Sequence, residues 1–287
     1  MRKVTVATTQ MVCTRDIDNN LKKAEKLVRE AAQKGANIIL LQELFETPYF
    51  CQKEKYEYFD LATTLEENKA VNYFKPIAKE LDVVIPISFF EKAGNTAFNS
   101  MTVIDASGEV LGLYRKTHIP DGHCYEEKFY FSPGDTGFKV FDTKYAKIGV
   151  GICWDQWFPE SARCMALLGA EILFYPTAIG SEPVLNVDSS SHWQNCMRGH
   201  AACNIMPLVA ANRVGTEVED ESSMTFYGTS FIANETGEVV VQMDRESEGV
   251  ETFTFDLDEI YSKRRTWGVY RDRRPELYGP LMKLSHE

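Results

Sequence analysis

The sequence predicts an α/β protein whose sheets are covered by helices on their outer faces. Three observations point there. Strand-like and helix-like segments alternate along most of the chain. Two hairpins, turning at residues 105–108 and 235–237, interrupt that alternation. No linker, low-complexity tract or short-period repeat divides the 287 residues, so they read as a single domain, 1–287.

The elements follow in order. Residues 4–10 are apolar and β-branched, as a buried strand requires. Residues 19–33 carry Leu21, Ala24, Leu27, Val28 and Ala31 at helical spacing, and Gly35 stops that helix. Residues 36–43 form the next strand, with Glu43 near its C-terminal end. Residues 67–81 read as a helix that Pro76 shortens or kinks. A strand follows at 83–92, then a hairpin of 99–104 with 109–115. Strand 147–152, helix 158–169, strand 171–176, helix 190–204 and strand 207–213 come next. A second hairpin pairs 229–234 with 238–243, and 250–256 is a late strand. The tail, about 260–287, is rich in Arg and Tyr and is expected to pack on the surface or on a neighbouring subunit.

A formal net charge of −11 argues against nucleic acid and anionic membrane surfaces as partners, and mildly favours a cationic small molecule. The N-terminus enters a strand directly, without a leader-like segment. No apolar run is long enough to span a bilayer, so a cytoplasmic protein is expected. Seven cysteines without CxxC pairs suggest free thiols.

Three short segments carry the chemistry. At 146–156 an apolar run ends abruptly on Cys153 and a helix-like segment follows. A cysteine on a sharp strand-to-helix turn is exposed to backbone N–H groups that can lower its pKa and receive an oxyanion. Taken alone, it reads first as a buried structural thiol. Segments 41–45 (Leu-Gln-Glu-Leu-Phe) and 113–120 (Leu-Tyr-Arg-Lys-Thr-His-Ile-Pro) add Glu43 and Lys116. All three residues fall at or just after strand ends, where α/β folds place their chemistry. Together they suit acyl transfer through a thiol: a carboxylate takes the proton and an ammonium stabilises the oxyanion.

In this order and spacing the three motifs resemble the nitrilase superfamily of carbon–nitrogen hydrolases, over nearly the whole chain. The resemblance implies a four-layer α-β-β-α sandwich, a Glu-Lys-Cys triad and no metal or organic cofactor. By motif, Glu43 is then the general base, Lys116 the oxyanion stabiliser and Cys153 the nucleophile. Residues 125–135 resemble the family stretch that holds a second glutamate, which assigns Glu127, with Glu126 the choice if the register slips by one. Relatives assemble through helices near the nucleophile, so 157–168 and 190–204 are candidate interfaces, with the tail, in a homo-oligomer (a dimer or larger even assembly).

Segments 42–52, 118–122, 151–160 and 175–183 extend the resemblance to members that act on a small cationic ureido substrate. Such a molecule needs apolar or aromatic walls for its stem, for which Tyr49, Phe50, Trp154 and Tyr125 are candidates, with His123 at the pocket. Its ammonium needs a carboxylate, and Glu182 in the loop after strand 171–176 is the candidate. Other readings compete. An acid-tailed amide or ureido substrate would need a cationic clamp, with Arg163 and Arg213 as possible donors. His118, His123 and Cys124 lie close enough in sequence to suggest zinc, but lack a second ligand pair at the usual spacing. A non-catalytic scaffold would be favoured by loss of any triad residue, and all three are present.

Overall fold

A computed structural model of the chain describes residues 1–181 and 186–285. Its first half contains β1 (Lys3–Gln10), α1 (Ile17–Gln33), β2 (Ile38–Leu40), α2 (Lys69–Leu81), β3 (Ile85–Ala93), β4 (Thr96–Ile104) and β5 (Val110–Arg115). The middle adds α3 (Glu127–Tyr130), β6 (Lys139–Asp142), β7 (Lys147–Val150), α4 (Pro159–Leu167), β8 (Ile172–Pro176), α5 (Ser190–Asn204) and β9 (Leu208–Ala211). The chain continues with β10 (Val214–Glu219), β11 (Ser222–Tyr227), β12 (Phe231–Ala233), β13 (Val239–Gln242), β14 (Gly249–Asp256) and α6 (Leu257–Trp267).

Two sheets face each other. One is a six-stranded sheet in the order β13-β12-β9-β8-β7-β6. The other joins two three-stranded ladders, β14-β1-β2 and β3-β4-β5, through backbone hydrogen bonds linking Val84 to Asn37 and Ile39. Between the sheets Val4, Val6, Leu40 and Met101 pack with Ile148, Val150, Ile172 and Phe174. On the outer face of the composite sheet, Leu21, Leu27 and Val28 of α1 and Phe74 and Ile77 of α2 pack with Ile39, Ile85 and Ile87. On the opposite outer face Met165 of α4 and Trp193, Met197 and Ala201 of α5 cover Leu173, Tyr175 and Leu208. Strand β8 shows why its sequence is apolar without a break. Ile172 and Phe174 face the inter-sheet core while Leu173 and Tyr175 face the helices, so both faces are buried. This is the four-layer α-β-β-α sandwich.

The strands are shorter at their functional ends than their composition suggests. β2 ends at Leu40, β7 at Val150 and β9 at Ala211, so Glu43, Cys153 and Arg213 lie in the loops just beyond. Those loops converge at one end of the sandwich. Residues 153–157 form a 3₁₀ turn, and α4 starts only at Pro159. α1 starts earlier than its apolar spacing indicates, because the Asp16 side chain caps it at the Asn19 N–H. α2 runs through Pro76 without a break. The hairpin β10–β11 and helix α6 were not foreseen. In the tail, α6 is anchored by buried Leu257 and Ile260, whereas Trp267, Leu277, Leu281 and Met282 are exposed. Among the described residues no helix is long and apolar enough to cross a membrane.

Candidate active site

Cys153 opens the 3₁₀ turn after β7 with φ of +44°, a left-handed backbone that costs a non-glycine residue about 1–2 kcal/mol. The turn is held by Asp155, which is fully buried. Its Oδ2 accepts from the Ile152 N–H at 2.9 Å and the Tyr114 hydroxyl at 2.6 Å. Its Oδ1 accepts from the His118 N–H at 3.0 Å and lies 2.8 Å from His118 Nδ1. One carboxylate thus ties the Cys153 turn to the 114–118 segment that carries Lys116. The His118 ring also stacks on Phe158, with centroids 3.7 Å apart, and is committed to this clamp. Gly134 closes the segment from the other side. Its N–H donates to the Lys116 carbonyl at 2.8 Å, and a Cβ there would lie 2.1 Å from the Arg115 carbonyl oxygen.

Lys116 is fully buried between two carboxylates. Its ammonium donates to Glu43 Oε1 at 3.0 Å and to Glu127 Oε2 at 2.6 Å. An ammonium has three donors, so one is left for a substrate oxygen. Glu43 Oε1 also accepts from Asn99 Nδ2 at 2.6 Å. Glu43 Oε2 is buried without a hydrogen-bond partner among the described residues, which suits an atom that must take up a proton. Glu127 Oε1 accepts from the Tyr49 hydroxyl at 2.6 Å. Cys153 is buried within the field of all three charges, and its Sγ lies 4.0 Å from the Ala178 carbonyl oxygen.

Burial decides the protonation states. It pushes Glu127 up to about 6, against the pull of the Lys116 ammonium. Burial also acts to lower Lys116, but Glu127 and Glu43 outweigh it and hold the ammonium well above its ordinary value. The Cys153 thiol is held well above its ordinary value, chiefly by burial and then by Glu43, while Lys116 opposes them. This corrects the expectation that the turn lowers the thiol's pKa. Cys153 rests as a thiol, and its activation needs a base at the moment of reaction.

The structure brings Glu43, Lys116, Glu127 and Cys153 together. It separates Glu127 from Glu126, which is only half-buried and lies outside the cluster. Trp154 follows Cys153 in the 3₁₀ turn and is 37% exposed. The half-buried Tyr125 hydroxyl accepts from the Gly180 N–H at 3.1 Å and so joins the 177–181 loop to the 121–126 loop. Two expectations are corrected. Tyr49 is fully buried and its hydroxyl is taken by Glu127, so it positions a carboxylate rather than lining a substrate stem. His123 is exposed on its loop, away from the buried cluster. Glu182 lies outside the described residues. Neither arginine considered as a clamp is free. Arg163 donates to the Cys203 carbonyl and lies over the Tyr270 ring, and Arg213 is buried against the 43–47 turn. Asn99 and Asp155 are supporting residues that sequence reasoning missed, and Arg213, considered only as a substrate clamp, supports the 43–47 turn instead. Their burial and their hydrogen bonds to the site segments mark them only once the fold is known.

The carbon-nitrogen hydrolase family model matches residues 5–265. The chain belongs to the carbon-nitrogen hydrolase family. This hydrolase is 60% identical to an N-carbamoylputrescine amidase from Solanum tuberosum, over 99% of its own length and 96% of the relative's. It is 52% identical to a citrullinase from Francisella tularensis subsp. tularensis, covering 99% of both chains. Its fold superposes on a carbon-nitrogen hydrolase from Helicobacter pylori G27 with a TM-score of 0.93, at 37% identity over 99% and 100% of the two chains.

Proposed function

We propose that this enzyme hydrolyses N-carbamoylputrescine to putrescine, carbon dioxide and ammonia through a carbamoyl-cysteine intermediate. The observation that carries this reading is the near-full-length identity to the Solanum tuberosum amidase. The site geometry is consistent with it at each step. Glu43 Oε2 accepts the Cys153 proton as sulfur attacks the ureido carbon. The Lys116 ammonium and the Trp154 N–H receive the developing oxyanion. The C–N bond then breaks, the leaving amine takes the proton from Glu43, and a carbamoyl thioester remains. Water, deprotonated by Glu43 with Glu127 alongside, releases the thiol and a carbamic acid, which decarboxylates to carbon dioxide and the second amine. Putrescine as product would place the reaction in polyamine biosynthesis.

Selectivity for the cationic end is assigned to Glu182, with the aromatic mouth at Trp154 and Tyr125 against the four-carbon stem. Glu182→Gln should raise KM for N-carbamoylputrescine much more than for an analogue with a neutral tail. Equal losses for both would overturn that assignment.

L-citrulline is the second reading, favoured by the citrullinase relative. It has the same ureido head and the same four carbons between ureido nitrogen and ammonium, and adds a carboxylate on the carbon that bears the ammonium. That carboxylate would want a guanidinium, and Arg163 and Arg213 are both engaged elsewhere. N-carbamoylputrescine is therefore the preferred substrate. For assembly, the exposed Leu167 and Leu168 at the end of α4, with the apolar tail residues, are assigned to contacts between copies in a homo-oligomer.

A further inference from the structure

We propose that the buried Arg213–Glu217 ion pair is a positioning device that sets the spacing of the two site carboxylates, Glu43 and Glu127. This rests on the reading of those carboxylates given above.

Arg213 follows β9 and precedes the hairpin β10–β11. Its side chain is fully buried and faces the turn that carries Glu43. Nη2 donates to the carbonyl oxygens of Glu43 at 3.1 Å and Leu44 at 2.6 Å. Nη1 donates to the Thr47 carbonyl at 2.9 Å and to Glu217 Oε1 at 2.8 Å. Glu217 Oε2 accepts from the Tyr49 N–H. Tyr49 in turn holds Glu127 through its hydroxyl. One ion pair therefore reaches Glu43 through its backbone carbonyl and Glu127 through Tyr49.

The turn needs such a brace. Leu44 has φ of +49°, a left-handed backbone unfavourable for a leucine. It also directs three carbonyl oxygens towards one buried point, where each would be costly if left without a donor. A planar guanidinium has donors enough, in a fixed fork, to serve three carbonyls and a carboxylate at once. A lysine ammonium has three donors on one atom and cannot span them. The hairpin that carries Glu217 is pinned at its far end as well, where Glu219 pairs with Arg15 at 2.7 Å and with Lys55. Both ends of β10 are thus tied to the loops that frame the site. Arg213 and Glu217 act here as positioning residues, and neither touches the reacting atoms.

The test is a double-mutant cycle on kcat and KM. Arg213→Lys in the full-length enzyme should lower kcat roughly 10–100-fold, the loss expected for a catalytic group displaced by about 1 Å, with KM little changed. In a Glu43→Gln background the same Arg213→Lys change should lower the residual kcat by clearly less than it does in the wild type, because one of the two carboxylates it positions is already gone and only the path through Tyr49 to Glu127 remains. Glu217→Gln, which keeps the shape but removes the charge, should also lower kcat with KM little changed. It carries the comparison if Arg213→Lys does not fold. Wild-type kcat in a folded variant, or losses that multiply in the cycle, would overturn the proposal. Wild-type kcat in Glu43→Gln alone would instead overturn the reading of Glu43 as the base, and the proposal with it.

Discussion

Tyr49→Phe removes one oxygen atom from a fully buried ring and leaves its packing in place. The lost hydroxyl is a donor to Glu127 Oε1 at 2.6 Å and favours the ionised carboxylate. A hydrogen bond to a charged group is worth about 1.5–3 kcal/mol. At 1.36 kcal/mol per pKa unit, its loss raises Glu127 by roughly one to two units. Glu127 starts at about 6 in the intact enzyme. The variant should then titrate at roughly 7–8. The ionised fraction at neutral pH falls from about nine-tenths to between about one-half and one-tenth. Ionised Glu127 is needed to hold Lys116, so kcat/KM should decline on the acid side of about 6 in the wild type. The profile of kcat/KM against pH reads the free enzyme and is the assay. Tyr49→Phe should move the acid limb upward by roughly one to two pH units, lose about two- to tenfold at pH 7 and recover most of that by about pH 9. A uniform loss at every pH, or no displacement of the limb, would refute the assignment of Tyr49 to Glu127.

Two further outcomes are expected. Asp155→Asn substitutes a donor for one of two buried acceptor oxygens, each of which serves two groups. It should cost at least about 2 kcal/mol, lower Tm by at least roughly 3 °C for a chain of this length and reduce kcat, measured by thermal unfolding and steady-state rates. His200 is buried against the Tyr175 hydroxyl, and burial pushes it down to about 4 from an ordinary 6.5. The unfolded chain therefore binds a proton that the native state refuses between those values. Stability should fall as pH drops from about 6.5 towards 4, by about 3 kcal/mol from this group, and His200→Gln should flatten that part of the curve in chemical denaturation.

The contrast between what was readable and what was not has a physical basis. The inner strands and α1 were legible because burial on one or both faces imposes a period or an unbroken apolar run. Glu43, Lys116 and Cys153 drew attention because each falls just after a segment that reads as a strand, and the fold brings them together. The hairpin β10–β11 was not, because Glu217 and Glu219 read as solvated acids. Both are buried, made tolerable by Arg213, Arg15 and Lys55 from distant segments. Helix α6 is mostly polar, and its start depends on Asp256 accepting from the Asp258 and Glu259 N–H groups. Tyr49 was expected to wall a substrate stem, whereas its buried hydroxyl donates to Glu127, since a phenol beside a pocket and a phenol bound to a buried carboxylate look alike in sequence. The thiol's environment was misjudged for a related reason. The turn was visible, whereas the burial that raises the Cys153 pKa depends on the whole fold.

The measurement that bears most directly on the central claim is ammonia release from N-carbamoylputrescine, L-citrulline and N-carbamoyl-β-alanine, with Cys153→Ala as the blank. The account predicts the highest kcat/KM for N-carbamoylputrescine, putrescine formed in equal amount to ammonia, and no turnover by the variant. Turnover that survives Cys153→Ala would contradict the thiol mechanism. A preference for N-carbamoyl-β-alanine would contradict a site built for a cationic tail, and a preference for L-citrulline, which keeps the ammonium and adds a carboxylate, would contradict N-carbamoylputrescine as the substrate.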